Sequence, residues 1–245
     1  MPEGAAMRER SLRRSIGSVI GRLAESERDP RCAGDGAPVV LLPGFCAPTR
    51  SLVALERRIE RTLERPAVRF PLASGALLPI VDVRRSAAQA ESLLEELARD
   101  RSFAYVDVVG HSLGGLVAAY WLKRIDRGRR IRRVVTLGTP HAGTPIARPG
   151  ALLLGLFSRA LWQMIPGSSL LRELEREPTP IGSELIAIAS RDDAVVPADC
   201  ARAPSAPRQR SLELARVGHC DLLWSRTAFG LVATALAAPL PDPVC

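Results

Sequence analysis

Aromatic residues make up only 4% of this 245-residue chain, and Lys123 is the only lysine among 34 basic residues. So few rings argue against a surface built on stacking nucleobases. Cysteine is sparse as well. The five residues Cys32, Cys46, Cys200, Cys220 and Cys245 contain no C-x-x-C pair, so neither a zinc site nor a dithiol redox motif is indicated, and an odd number excludes a fully paired disulfide framework. No stretch approaches the roughly 20 uninterrupted apolar residues that a membrane-spanning helix requires. Arg8, Arg10, Arg13 and Arg14 are followed by no apolar segment of the kind a secretory signal carries. A cytoplasmic protein is therefore expected, with membrane association as the variant.

Hydrophobic residues account for 47% of the chain and charged residues for 24%. That balance supports a soluble core and excludes global disorder, and the length suits one large domain. The formal charge is +8, almost all of it arginine. GC-rich coding composition accounts for this bias, and no nucleic-acid partner is expected. The surplus would still favour anionic partners such as lipid headgroups.

Residues 7–26 place Ile16, Val19, Ile20 and Leu23 at helical spacing among charges, which reads as a short amphipathic helix. Arg28 to Pro38 reads as a linker, so residues 1–37 form an N-terminal appendage and 38–245 the main domain. From there strands and helices alternate. Strands are expected at 39–42, 67–71, 103–109, 132–137, 184–189 and 212–217. Helices are expected at 51–64, 84–99, 113–125 and 222–237. This rhythm predicts an α/β fold: a mostly parallel sheet of about six strands with helices on both faces. Residues 144–180 break the alternation and read as a helical cap inserted over the site.

The segment Gly110-His111-Ser112-Leu113-Gly114 fits G-x-S-x-G between an apolar strand and a helical stripe. A nucleophile on such a turn needs neighbours without bulk, and the helix that follows offers free N–H groups to a developing oxyanion. A serine hydroxyl also needs a base held by a third group. Of the three histidines, His111 adjoins Ser112 and is expected to point away from it, and His141 reads as a structural loop residue. His219, after the last strand, remains as the base, because chain order in such sites runs Ser, acid, His. Asp192 and Asp193 are the candidate acids, and the pattern D-x-x-V-P selects Asp193. Asp221 reads as the N-cap of the closing helix. The oxyanion donors are expected to be the N–H of Leu113 and of Phe45, since Pro43 has none to give.

These residues resemble the α/β-hydrolase superfamily, in particular its small bacterial lipase and esterase branch. The likeness spans about Pro38 to Ala237. It rests on Leu-Leu-Pro-Gly-Phe at 41–45, Gly-His-Ser-Leu-Gly-Gly at 110–115, Leu-Gly-Thr-Pro-His-Ala-Gly-Thr at 137–144, Asp193 with Val196-Pro197, and Gly-His at 218–219. The resemblance implies the α/β-hydrolase fold and hydrolysis of carboxylic esters through an acyl-enzyme, without a cofactor or metal. Ser112, Asp193 and His219 would be the catalytic residues. An acyltransferase or thioesterase using the same three residues is the alternative, and a non-catalytic binding protein on the same scaffold is a further one.

The cap is rich in apolar side chains, with Phe157, Trp162 and Met164 expected to line an acyl pocket. The substrate is then an apolar or lipid-like ester. The basic cluster Lys123, Arg124, Arg127, Arg129, Arg130, Arg132 and Arg133 falls at the sheet edge away from Ser112. It reads as a solvated turn, with peripheral membrane contact as the other reading. Some secreted relatives carry cysteines near the positions of Cys200 and Cys220, but a cytoplasmic address disfavours a disulfide, and the sequence leaves open whether these two pair. Nothing in the sequence indicates an oligomeric state.

Overall fold

The protein is described by a computed structural model over residues 37–72, 81–99, 103–154 and 158–240. The amphipathic helix expected at 7–26 lies outside these residues, as does Phe157. Six strands form one sheet: β1 (Val39–Leu42), β2 (Ala67–Arg69), β3 (Val106–His111), β4 (Ile131–Leu137), β5 (Glu184–Ser190) and β6 (Gln209–Leu214). Their order is β2-β1-β3-β4-β5-β6, and every pairing is parallel. The chain runs outward from β1 to β2 and then returns to the other side of β1 for β3. The carboxyl ends of β1 and β3 therefore flank the point where the winding reverses, the usual place for a site in an open α/β sheet.

Alternate residues of each strand face opposite layers. Val40, Leu42, Val108 and Val134 pack with helices α2 (Val83–Arg99) and α3 (Leu113–Tyr120). Val39, Leu41, Val109, Val135 and Ile186 pack with α1 (Val53–Leu63) and the closing helix, Arg226–Ala237. Both layers are buried, which is why the central strands are apolar over most of their length, apart from Asp107, Arg132 and Arg133 near the amino edge and Thr136 in β4.

The structure shifts several expected boundaries. β3 begins at Val106 rather than at Phe103 because the first paired residue is Val106, against Ile131. The last strand spans 209–214 and not 212–217: its pairing runs from Leu185–Gln209 to Ser190–Leu214, so polar residues on this edge strand hid its start. Residues 220–223 form a separate short 3-10 helix, and the closing helix starts at Arg226 with the Ser225 hydroxyl accepting from Ala228 N–H. Ser225, not Asp221, is thus the N-cap. The helix after Ser112 widens from α to π at Trp121–Asp126.

The cap is also smaller than expected. Residues 144–180 contain α4 (Ala147–Leu154), α5 (Arg159–Gln163) and α6 (Ser169–Arg176). Helix α6 descends beside the π-helical turn, where Leu174 O accepts from Lys123 Nζ at 2.9 Å and Arg124 pairs with Glu173 and Glu177. It is the crossover helix between β4 and β5, so the alternation holds there and only α4 and α5 are additional. These two sit at the carboxyl edge. Ala160 N–H bonds Val81 O, and the Gln163 amide oxygen accepts from Val83 N–H at the start of α2.

The basic cluster is a solvated turn only at its tip, where Arg127 and Arg129 are exposed. Lys123 and Arg133 are buried, and Arg129 pairs with Glu91 at 2.6 Å. At the amino edge Asp107 is fully buried, with Arg65 at 2.6 Å and Arg132 at 3.0 Å. Arg133 meets Glu184 at 2.5 Å and donates to the carbonyls of Leu236 and Ala238. Arginine stems long enough to lie along apolar surface carry each charge to a buried acid. Burial lowers the Arg65 pKa, and the charge and hydrogen bond of Asp107 oppose that shift. Removing one partner of such a pair strands the other. Asp107→Ala is therefore expected to cost about 3–5 kcal/mol, read as a lower urea midpoint with an unchanged m-value. A loss under 1 kcal/mol would show that the network is not holding the strand starts together.

Candidate active site

Successive partners Leu42–Gly110, His111–Leu137, Leu137–Ile188 and Ser190–Leu214 step across the sheet. One short loop beyond each strand end lies a residue singled out from sequence: Phe45 after β1, Ser112 after β3, His141 after β4, Asp193 after β5 and His219 after β6.

Ser112 occupies the turn from β3 to α3 with φ 52° and ψ −122°, a positive-φ conformation that costs energy for a residue with a side chain. Its N–H bonds Leu137 O at 2.8 Å, and its carbonyl accepts from Thr139 Oγ1 and from Gly115 N–H. The glycines on either side permit the close approach. A Cβ at Gly114 would stand 2.5 Å from the carbonyl oxygens of Leu42 and Pro43, and one at Gly110 2.5 Å from Gly114 O. The serine hydroxyl donates to no acceptor among the described residues.

His219 Nδ1 lies 2.7 Å from Asp193 Oδ2, and the aspartate's other oxygen accepts from the N–H groups of Val195 and Val196, each at 2.8 Å. Burial alone would raise the Asp193 pKa. The hydrogen bond from His219 and those from the two backbone amides outweigh it and hold the carboxyl below its usual value. The pair lies over the end of β4, since a Cβ at Gly138 would be 3.0 Å from Asp193 Oδ2 and 3.2 Å from His219 Nδ1. Asp192 is turned away and accepts from Arg216 N–H at 2.6 Å. The N–H groups of Phe45 and Leu113 likewise have no acceptor among the described residues.

Three contributors were not foreseen. His111 packs against the ring of His219, with the two ring centroids 4.8 Å apart. Asp192 and Ser190 tie the acid turn to the loop before His219, with Ser190 Oγ donating to Val217 O at 2.5 Å. A polar residue after an apolar strand is a weak signal, because its partner is distant in sequence. His141 sits as a structural loop residue does, its Nε2 3.0 Å from Thr136 Oγ1. Cys46, Cys200 and Cys220 are free thiols, so the open question of a Cys200–Cys220 bridge is answered in the negative. Met164 is buried in the main core cluster and Trp162 is half exposed on α5. Among the described residues, no group of three or more His, Cys, Asp or Glu side chains is placed to hold a metal ion, and no helix is long and apolar enough to cross a membrane.

A family model described as a domain of unknown function (DUF7379) matches residues 84–161, under half of the chain. Several solved structures are similar over most of it. The mature Bacillus licheniformis lipase BlEst2 aligns at 17% identity with a TM-score of 0.67, covering 85% of this chain and 94% of that one. The product of the Listeria innocua gene lin2722 aligns at 16% with a TM-score of 0.65, covering 85% and 96%. A thermophilic esterase from Thermogutta terrifontis aligns at 14% with a TM-score of 0.56, covering 81% and 88%. The chain has the α/β-hydrolase fold. Its structural neighbours include lipases and esterases at low sequence identity.

The neutral histidines make stability depend on acid. Burial, then the charge of His219, lowers the His111 pKa from 6.5 to about 4. Burial, then the charge of Lys123, lowers that of His141 to about 3. Below pH 6.5 the unfolded chain takes up protons that these native rings refuse, so acid favours unfolding. Above pH 6.5 they add no pH dependence. Each ring is expected to contribute a slope of up to about 1.4 kcal/mol per pH unit between roughly pH 6 and 4.5. Urea midpoints at pH 7 and pH 5 test this. His141→Gln should remove close to half of the slope, and an unchanged slope would contradict the buried neutral ring.

Proposed function

We propose that the protein is a serine ester hydrolase acting on an apolar acyl or lipid-like ester. The observation that carries this reading is the Asp193–His219 pair at 2.7 Å, set over the sheet edge beside the strained turn that bears Ser112. His219 Nδ1–H donates to Asp193, which fixes the tautomer and leaves Nε2 free to take the serine proton. The hydroxyl oxygen attacks the ester carbonyl, and the N–H groups of Phe45 and Leu113 receive the oxyanion. The alcohol leaves with the proton from His219. Water then repeats the sequence on the acyl-enzyme. The contact between Ser112 and His219 forms in the substrate complex, where such hydrogen bonds commonly tighten. No residue in this sequence of steps calls for a metal or cofactor.

Apolar surface on the carboxyl side supports the substrate class. Ile146 and Leu152 on and before α4, Trp162 on α5, Val195 in the acid turn and Trp224 after the 3-10 helix are all exposed large hydrophobic residues. Trp162, half exposed on α5, is the cap residue proposed to meet an acyl chain. Met164 serves the core instead, and the assignment of Phe157 to the pocket stands on sequence alone.

Purified protein is expected to react with a fluorophosphonate probe and to hydrolyse p-nitrophenyl esters, preferring acyl chains longer than acetyl. Ser112→Ala should abolish labelling and lower turnover by a factor of about 10⁴ or more. Asp193→Asn should retain labelling at a much reduced rate. Absence of labelling in folded wild-type protein would refute the reading, and a preference for acetyl esters would refute the lipid-like substrate.

A further inference from the structure

His111 makes contacts that its place in the chain does not require. Its Nε2 lies 3.0 Å from the backbone oxygen of His219, and the two rings meet at 4.8 Å and 45°. A carbonyl oxygen only accepts, so Nε2 must carry the hydrogen and Nδ1 the lone pair. That Nδ1 is buried without a hydrogen-bond partner and faces the turn after β1, where a Cβ on Gly44 would come within 3.0 Å of it. One ring is therefore wedged between the loop of His219 and the turn that contains Phe45. It is attached to the backbone residue just before Ser112.

We propose that His111 is a positioning residue: its Nε2–H grips the backbone of His219 and sets the spacing between the base, Ser112 and the Phe45 turn. The inference rests on the ester-hydrolase reading and names a further participant in it. His111 touches none of the reacting atoms. It acts by holding His219 where Asp193 and the serine can both reach it, and small misplacements of a catalytic group cost much in rate. A neutral ring suits this task, because a second positive charge here would oppose the imidazolium that His219 becomes during the reaction.

The test has two independent arms. In the wild-type protein at pH 7, ¹⁵N NMR of the imidazoles should show the Nε2–H tautomer for His111, its resonance identified by its loss in His111→Gln. The Nδ1–H tautomer would overturn the proposal. In kinetics, His111→Phe keeps a ring but lacks the donor, and should lower kcat by a factor of about 10² with KM changed less than twofold. His111→Gln places an amide N–H at the ε position and should recover most of that loss. His111→Asn, whose amide reaches only the δ position, should not. Rates are normalised to fluorophosphonate-titrated sites, so partial unfolding does not imitate the effect. Wild-type kcat in His111→Phe, or equal rates for the Gln and Asn variants, would overturn the proposal. If His111→Phe fails to fold, the Gln–Asn comparison and the tautomer decide. Wild-type protein that neither labels nor hydrolyses esters would count against the ester-hydrolase reading, while the tautomer would still be measured.

Discussion

Parallel pairing throughout the sheet is the constraint from which the site follows. When every strand points the same way, every strand-to-helix turn emerges at one edge, and residues far apart in sequence become neighbours there. Gly110 opposite Leu42, Leu137 opposite His111 and Leu214 opposite Ser190 are the register that aligns those exits. Turning one strand around would send its loop to the other end of the domain. The dry layers on both faces enforce the arrangement, since each central strand is buried on two sides and has no solvent face to rotate outward.

The two edges of the sheet do different work. The carboxyl edge carries a strained serine, N–H groups with no acceptor among the described residues and two histidines held neutral by burial, features that cost stability and suit chemistry. At the amino edge, charges are closely paired. There Asp107, Glu184, Arg65, Arg132 and Arg133 bind the strand starts to the chain at Ala37 and to the end of the last helix. The arginine-rich composition, which seemed a surface property, supplies part of the frame against which the other edge is held. The loop before His219 has its own lashings, from Ser190 and Asp192 to residues 216 and 217.

Most of the fold was legible in the sequence because apolar runs and helical stripes alternate clearly from Val39 to Ile188. Legibility failed where the local pattern was weak. The edge strand Gln209–Leu214 is half polar, so its apolar tail drew the expected boundary three residues too far along. Helix α6 was absorbed into the supposed cap because its partners, Lys123 and Arg124, lie some fifty positions earlier. The turn at 123–133 read as wholly solvated because the acids that pair with Arg124, Arg129, Arg132 and Arg133 come from other strands and helices.

By itself the sequence determined the α/β alternation, the sharp turn at Ser112 and Asp193 rather than Asp192 as the partner of His219, since each depends on spacing within a few residues. The tertiary structure decided which groups meet. It turned Asp192 to the backbone of Arg216, left Cys200 and Cys220 as separate thiols, and brought the ring of His111 against His219. The physical reason is one of range. Backbone conformation and hydrophobic period are written in neighbouring residues, whereas a hydrogen bond between side chains a hundred positions apart exists only once the sheet has set their distance.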